Sequence, residues 1–358
     1  MLQRYLMEFD SADLEREITD FLVIGSGIAG LLAALRASEN GKVIILTKKD
    51  LLESNTIYAQ GGIAAAIGTE DSPELHLKDT LKAGAGLCEE EAVRILVNEG
   101  PKGIKELISL GVNFDKWGNR LALTKEGAHS KRRVLHARGD ASGREIMRAL
   151  SQRVKENSRI KIWENTTVID LLTKNITCYG AVAQESSTGK LKIFLAQATI
   201  LATGGVGQVY QVTTNPEVAT GNGIAMAYRA GAELVDMEFV QFHPTAFCCP
   251  GAPHFLISEA VRGEGAYLRD KNGERFMPGY HELAELAPRD IVSRAIVAQM
   301  DKTSSRNVFL DLRHLEPALV QRRFPNIREN CAQYGIDILK DQIPVAPAAH
   351  YMMGGVKT

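Results

Sequence analysis

Apolar residues along the chain gather in short runs separated by glycine-rich turns. Residues 18–24 form a β-rich apolar run. Gly25-Ser26-Gly27-Ile28-Ala29-Gly30 follows directly, and residues 31–37 carry the small and apolar side chains of a helix. A second apolar run covers residues 42–47. Strand, glycine turn, helix and strand in this order open a doubly wound α/β fold. Residues 73–110 alternate helical patterns with glycine turns, and residues 141–157 predict another helix. Residues 168–172, 179–184 and 192–195 predict the short strands of a small meander. Residues 198–201 predict a further buried strand that ends at Thr203-Gly204-Gly205. From Val235 onward Pro, His, Phe and Arg become frequent and the periodicity weakens. The expected division is a first domain over residues 1–235, an inserted α+β capping domain over 236–345, and a return segment over 346–358. No internal repeat or low-complexity segment is evident.

Composition narrows the class. The chain has 358 residues, 45% of them hydrophobic, enough for a sizeable core in two domains. A formal net charge of −1 gives no reason to expect a nucleic acid or an anionic membrane as partner. Five cysteines (Cys88, Cys178, Cys248, Cys249 and Cys331) form no C-x-x-C pair, so neither a disulfide framework nor a metal site is expected, and a reducing cytoplasm is the expected location. Residues 1–20 are acidic throughout and lack the apolar core of a secretory leader. No apolar run approaches the roughly 20 residues that span a bilayer.

The glycine turn carries the first chemical signal. Gly25-x-Gly27-x-x-Gly30 follows a strand and opens a helix, the context that a dinucleotide fingerprint requires. Gly25 permits the tight turn, Gly27 lets backbone approach a pyrophosphate, and Gly30 lets helix and strand pack closely. The helix start offers N–H groups and a positive dipole end to phosphates. The second strand ends Leu46-Thr47-Lys48, with no carboxylate for ribose hydroxyls, which argues against an ordinary NAD site. The stretch Ser54-Asn55-Thr56-Ile57-Tyr58-Ala59-Gln60-Gly61-Gly62-Ile63-Ala64 is rich in small and hydroxyl residues. Either it is a tight loop, or its backbone approaches a flat ring system closely.

These segments resemble the succinate dehydrogenase and fumarate reductase flavoprotein superfamily. Ser54 to Ala64 resembles its flavin-cradling segment, Ala202-Thr203-Gly204-Gly205 a second flavin contact, and Thr220-Gly221-Asn222-Gly223 a third. His243-Pro244-Thr245, Ser258-Glu259-Ala260-Val261-Arg262-Gly263-Glu264-Gly265, Pro288-Arg289-Asp290 and His350-Tyr351-Met352-Met353-Gly354-Gly355 match its substrate motifs in order. The resemblance implies a Rossmann-like FAD-binding domain with an inserted cap. It implies FAD contacts from Gly25, Ser26, Gly27, Ala29, Gly30 and Lys48, then from Ser54, Asn55, Thr56, Tyr58, Ala59, Gln60, Gly61 and Gly62, and finally from Thr203, Gly204, Gly205 and Asn222. Asn55 stands where membrane-linked succinate dehydrogenases carry the histidine bonded to FAD, so non-covalent FAD is expected.

Residues 123–136, Leu-Thr-Lys-Glu-Gly-Ala-His-Ser-Lys-Arg-Arg-Val-Leu-His, resemble the L-aspartate oxidase family. That resemblance implies that Glu126 receives a substrate amino group. The alternative for Glu126 is a solvated loop charge. By resemblance, His243 and His350 hold carboxylate oxygens from opposite sides of a cleft, and Ser258 and Glu259 fix one carboxylate. Two roles stay open for Arg289: proton transfer, which rests on the family because an arginine is normally locked in its charged form, or a fixed cation that stabilises developing negative charge. Arg262 suits the second role as well. The implied reaction passes hydride from the α-carbon of L-aspartate to FAD and gives iminoaspartate. Oxygen (forming hydrogen peroxide) or fumarate then reoxidises the flavin. The reaction feeds quinolinate and NAD biosynthesis, with the next enzyme of quinolinate synthesis as a candidate partner. The alternatives are a soluble fumarate reductase or succinate dehydrogenase flavoprotein, and a truncated non-catalytic relative. Two departures stand out. Family members continue past the position of Thr358 with a Gly-Glu or Gly-Asp flavin contact, a further substrate arginine and a C-terminal helical domain, so a fragment or a naturally short protein is expected. Asn222 also stands where many relatives carry aspartate.

Overall fold

The computed structural model describes residues 4–10 and 12–358. Residues 1–3 and 11, part of the N-terminal stretch with no expected leader, lie outside them. Two compact units form, one from residues 1–58, 146–240 and 350–358 and the other from 59–145 and 241–349. This division differs from the expected one, since residues 59–145 group with 241–349. No described helix is long and apolar enough to cross a membrane.

The first unit is built on a six-stranded sheet. Strand Glu15–Ile24 lies at its centre, with Val43–Leu46 and Ile160–Trp163 in parallel on one side. Strand Leu191–Leu201 runs parallel on its other side, followed by Thr177–Glu185 and Thr166–Lys174 in antiparallel order. The register aligns the strand ends: Ile24 pairs with both Leu46 and Leu201. The glycine turn after Ile24, the Thr47-Lys48 step and the Ala202–Gly205 loop therefore leave the sheet at one edge. The meander forms as its pattern predicts, with two corrections. Residues 192–195 and 198–201 belong to one continuous eleven-residue strand. Residues 198–201 are not buried, since Ala198 and Leu201 are exposed. Pairing with the central strand over nine positions holds this segment extended without burying its side chains.

Helix Ile28–Ala37 crosses from the central strand to its neighbour. Its buried residues, Gly30, Leu31 and Ala34, lie three and four apart, the spacing of one helix face. The residues at that face are small because the packing is close. A side chain on Gly30 would overlap the carbonyl oxygen of Gly25. Gly25 itself sits at φ +111°, and a side chain there would overlap the carbonyl of Ala202. Gly27 differs, because an added Cβ would meet only Thr56 Oγ1 at 3.4 Å and Ser54 Cβ at 3.9 Å.

The second unit has a four-stranded sheet in the order Val240–Phe247, Ile343–Met352, Val308–Asp311, Tyr267–Arg269. Helix Arg289–Thr303 buries Val292, Ala295, Ile296 and Gln299 on one face, and its aliphatic residues join a core with Phe247, Leu268, Leu310 and Val345. A smaller three-stranded sheet joins Ile63–Ala64, Val134–Leu135 and Leu123–Thr124. Helix Glu90–Ser109 runs unbroken through Gly100-Pro101, with Val93, Val97, Ile104 and Leu107 buried along one face. The cost of a proline inside a helix, about 3 kcal/mol, is offset by that burial.

Asp311, at the end of its strand, is buried between Arg313 (2.8 Å) and Arg269 (2.7 Å). The hydrogen bonds from Arg313, joined by that from Arg269, hold its carboxyl well below the usual carboxylate range against the opposing effect of burial. A carboxyl depressed in the folded state adds stability above its unfolded value of about 3.9, and that stability is lost as pH falls through the lower folded value. Asp311→Asn is expected to cost about 2–3 kcal/mol in urea unfolding at pH 7, with the gap to wild type narrowing below about pH 4. An equal gap at both pH values would refute this account. Gly30→Ala is expected to destabilise by about 3 kcal/mol and Gly27→Ala by less than about 1 kcal/mol in the same assay.

Candidate active site

At the glycine edge of the first unit, the sequence places Gly25–Gly30, Lys48, Ser54–Tyr58, Thr203–Gly205 and Asn222. Helix Ile28–Ala37 begins at Gly27 with no side-chain cap. Its first-turn N–H groups have no intrahelical acceptors, and Thr56 Oγ1 accepts from the Ile28 N–H at 3.1 Å. Ser26 is buried and shares a 2.9 Å hydrogen bond with the Thr47 hydroxyl, which ties the two strand ends together. Lys48 Nζ donates to Thr220 Oγ1 at 2.6 Å and to Asn222 Oδ1 at 3.1 Å, and the Thr220 hydroxyl also donates to Asn222. Burial, and then neighbouring Lys49, lower the Lys48 pKa. Gly204 adopts φ +71°, and Asn55 Nδ2 lies 3.8 Å from where a Cβ of Gly204 would be. Gly223 lets its helix pack onto the Thr203 side chain, which a Cβ would overlap.

These glycines fall into two kinds. Gly25 and Gly30 are required by the protein's own packing. Gly27, at the helix start, is not, so its missing side chain keeps free the approach to that terminus. A bare backbone approach at a helix N-terminus suits a diphosphate. The residues therefore fit the phosphate portion of a dinucleotide such as FAD. The Tyr58 hydroxyl, by contrast, is turned to Glu53 at 3.0 and 3.1 Å, and the Ser54 hydroxyl reaches only the Leu52 carbonyl at 3.5 Å and the Met147 sulfur at 3.9 Å.

Ala59, Gln60, Gly61 and Gly62 group with the second unit. The Ala59 carbonyl accepts from the Gly143 N–H, and Gln60 Oε1 accepts from the Ser258 N–H at 3.2 Å. A Cβ on Gly62 would overlap the Leu135 carbonyl, whereas one on Gly61 would meet nothing within 4 Å. His350 belongs to the first unit, with Nδ1 2.7 Å from Thr214 Oγ1 and its carbonyl accepting from Asn215 Nδ2 at 2.6 Å.

Within the second unit, the structure gathers Glu126, His243, Ser258, Glu259, Arg262 and Arg289. His243 is fully buried, and its Nδ1 accepts from the Thr245 N–H at 3.2 Å. The neutral ring therefore carries its proton on Nε2. Ser258 caps the short helix Glu259–Gly263 by accepting from the Ala260 N–H at 3.2 Å. Glu259 Oε2 accepts from Arg289 Nε at 2.6 Å, and Glu259 Oε1 lies 3.7 Å from Arg262 Nη2. Burial would raise the Glu259 pKa, but Arg262 and Arg289 together outweigh it and hold the carboxyl below its usual range. Arg289 Nη1 donates to Gln241 Oε1 at 2.8 Å. Arg262 is 1% exposed, and its Nη1 donates to the Glu285 carbonyl at 2.5 Å. Its Nε has no hydrogen-bond partner among the described residues.

The Lys125–Arg133 loop lies against this cluster. A Cβ on Gly127 would come within 2.5 Å of Glu259 Oε1. Glu126 Oε1 lies 3.3 Å from His136 Nε2. Arg133, fully buried, anchors the loop with a bidentate pair to Asp71 (both 2.8 Å) and a bond to Asp79 (2.5 Å). Arg133 Nη1 also faces His129 Nδ1 at 3.4 Å. Burial, and next Arg133, push His129 below the ordinary imidazole value. Glu126, Gly127 and His129 border a cleft of about 1400 Å³ whose lining includes Ala260, Gly263 and Pro288. Sequence reasoning did not single out Gln241, His129, Arg133 or His136. The last three lie inside residues 123–136, the stretch that had already drawn attention to Glu126.

Known proteins resemble this chain. The chain is 50% identical over 343 residues to an L-aspartate oxidase of Synechocystis, covering 95% of this chain and 62% of that protein. It is 49% identical over 352 residues to a chloroplastic L-aspartate oxidase of rice, covering 94% and 54%. Among solved structures, a variant of E. coli quinol fumarate reductase FrdA matches with a TM-score of 0.90 and 34% identity over 96% of this chain and 62% of that one. The chain thus spans roughly three fifths of the length of such relatives. A family model described as FAD binding domain matches residues 20–358, and the chain belongs to that family.

Proposed function

We propose that this chain is the FAD-binding and substrate-binding part of an enzyme that oxidises L-aspartate to iminoaspartate. The carrying observation is the setting of Glu126. It is mostly buried, and among the described residues its only ion-pair partner is His136. A succinate or fumarate molecule offers no positive group to such a carboxylate, whereas the ammonium of L-aspartate does. Nearby, Glu259 with Arg262 and Arg289 carries a formal charge of +1 overall, suited to a substrate carboxylate. His243, through Nε2–H, is assigned a further contact to a carboxylate oxygen, with Ser258 fixing the helix that carries Glu259; the same role for His350 rests on the resemblance alone.

Bound FAD, held non-covalently, supplies the hydride acceptor. The protein's own residues orient the substrate and handle its protons. Glu126 accepts a hydrogen bond from the ammonium and takes its proton as the C=N bond forms. Arg289 stays charged and stabilises negative charge on the substrate. When fumarate is the oxidant, Arg289 Nε–H, bonded to Glu259, is the candidate proton source. Oxygen or fumarate restores the oxidised cofactor, and iminoaspartate passes to quinolinate and NAD synthesis, with the enzyme of the next step as partner. A cytoplasmic location belongs to the same reading, although the rice and tobacco relatives are named chloroplastic. The second reading, a fumarate reductase or succinate dehydrogenase flavoprotein, is favoured by the 0.90 TM-score to E. coli FrdA.

The flavin bands of the FAD-loaded protein are expected to bleach without oxygen on addition of L-aspartate and not of succinate. Bleaching by succinate alone would select the second reading. Glu126→Gln is expected to raise the half-saturating L-aspartate concentration by about tenfold to a hundredfold and to leave fumarate reduction within about threefold. Equal losses with both substrates would remove the case for an amino group. Gly27→Ala, which folds normally, is expected to lose FAD, as measured by absorbance after desalting.

A further inference from the structure

We infer that His136 is a positioning residue that sets specificity for an amino substrate by orienting the carboxylate of Glu126. The inference rests on the reading of Glu126 given above. His136 is 2% exposed, and its Nε2 lies 3.0 Å from Thr124 Oγ1 and 3.3 Å from Glu126 Oε1. The Thr124 hydroxyl donates to the Val134 carbonyl at 3.3 Å, so it presents a lone pair to the ring. Nε2 must therefore be the donor to Thr124, and the same nitrogen lies within ion-pair distance of Glu126 Oε1, a buried oxygen with no hydrogen-bond partner among the described residues. On the other side of the ring, Nδ1 is buried with no hydrogen-bond partner among the described residues. The ring's one hydrogen bond is thus made on the Nε2 side, to Thr124, with Glu126 Oε1 beside it.

The surroundings explain why such a donor is needed. Arg289 binds Glu259 and Gln241, Arg133 binds Asp71 and Asp79, and Arg262, which feels the charge of Glu126, forms no ion pair with it among the described residues. Neither of the first two reaches Glu126 within ion-pair distance. A mostly buried glutamate with two rotatable bonds beyond Cβ and no fixed partner would lose its direction. Strands Leu123–Thr124 and Val134–Leu135 pair with each other, Thr124 opposite Val134. That pairing sets Thr124, and with it His136, two residues from Glu126 on a rigid element. His136 Nε2 is the ion-pair neighbour of Oε1, and that buried oxygen makes no hydrogen bond among the described residues. An ammonium bound there would meet a carboxylate of fixed orientation, which lowers the ordering cost of binding. A dicarboxylate without an amino group gains nothing from it.

The test compares His136→Leu, which removes the donor, with His136→Gln, which keeps an N–H at a similar reach, in the FAD-loaded protein. His136→Leu is expected to raise the half-saturating L-aspartate concentration by about tenfold, with that for fumarate within about twofold, and His136→Gln to recover most of the loss. An unchanged L-aspartate response, an equal loss with fumarate, or no recovery with Gln would overturn the inference. Nitrogen NMR of histidine-labelled protein reads the contact without any substrate. The His136 ring is expected to show the Nε2–H form, with a resonance that moves on Glu126→Gln. A resonance indifferent to Glu126 would overturn the inference even in an active enzyme. A wild-type protein that L-aspartate fails to reduce would instead sink the functional reading, and the NMR result would still decide the role of His136.

Discussion

The register of three parallel strands is the constraint on which the first unit depends. Because Ile24 pairs with both Leu46 and Leu201, three chain segments distant in sequence leave the sheet together. A slip of one residue along either neighbour would turn every side chain of that strand to the other face. It would also separate the Ser26 and Thr47 hydroxyls, now 2.9 Å apart. The close fit of Gly25 against Ala202 and of Gly30 against Gly25 holds only in this register. The turn that offers a helix N-terminus to a phosphate is therefore fixed by sheet pairing before any ligand binds. Most of the glycines in it serve the protein's own packing, and Gly27 alone among the three of the fingerprint keeps space free.

The second unit depends on a different balance. Arg133, Arg262, Glu259 and His243 are all buried, and a buried charge is costly unless paired. Each arginine meets that cost differently. Arg133 is saturated by two aspartates in a geometry that matches its planar donors, which suits an anchor for the 125–133 loop. Arg262 gives one bond to the Glu285 carbonyl and keeps Nε without a hydrogen-bond partner among the described residues. A buried guanidinium left short of acceptors has donors to spare for another anion, and burial lowers its pKa. The contrast separates a saturated arginine from one with unused donors on hydrogen bonding alone.

Much of this was legible in the sequence, for reasons that vary by residue. The opening strand–turn–helix could be read because its periodicity and glycines act locally, and the helix at residues 142–156 could be read for the same reason. Residues 191–201 were split into two strands because the polar Gln197 interrupts the apolar pattern, and pairing with the central strand overrides that break. The grouping of residues 59–145 with 241–349 was not legible, since it arises from contacts such as Gln60 to Ser258, 198 positions apart. Glu259, Arg262 and Arg289 were found through motifs, yet their mutual arrangement is a tertiary fact. Gln241 was missed although it lies two residues before His243, because an uncharged residue in a strand gives no chemical signal by itself.

The charge pattern of the second unit bears on which dicarboxylate it suits. Glu259 sits between two arginines, so that cluster has one unit of positive charge to spare. Glu126 carries a formal negative charge, and His136 is its only ion-pair neighbour among the described residues. A plain dicarboxylate suits the first region and offers nothing to the second. At an effective dielectric of about 20, a carboxylate brought to within 4 Å of Glu126 would meet about 4 kcal/mol of repulsion. Glu126 would then have to be protonated or moved, and the Arg133 anchor opposes movement of the loop. In the proposed reading an amino dicarboxylate presents its ammonium to Glu126, an attraction that a substrate without the amino group lacks. On the proposed reading the pattern discriminates by sign of charge and not by shape, on a fold that resembles that of a fumarate reductase.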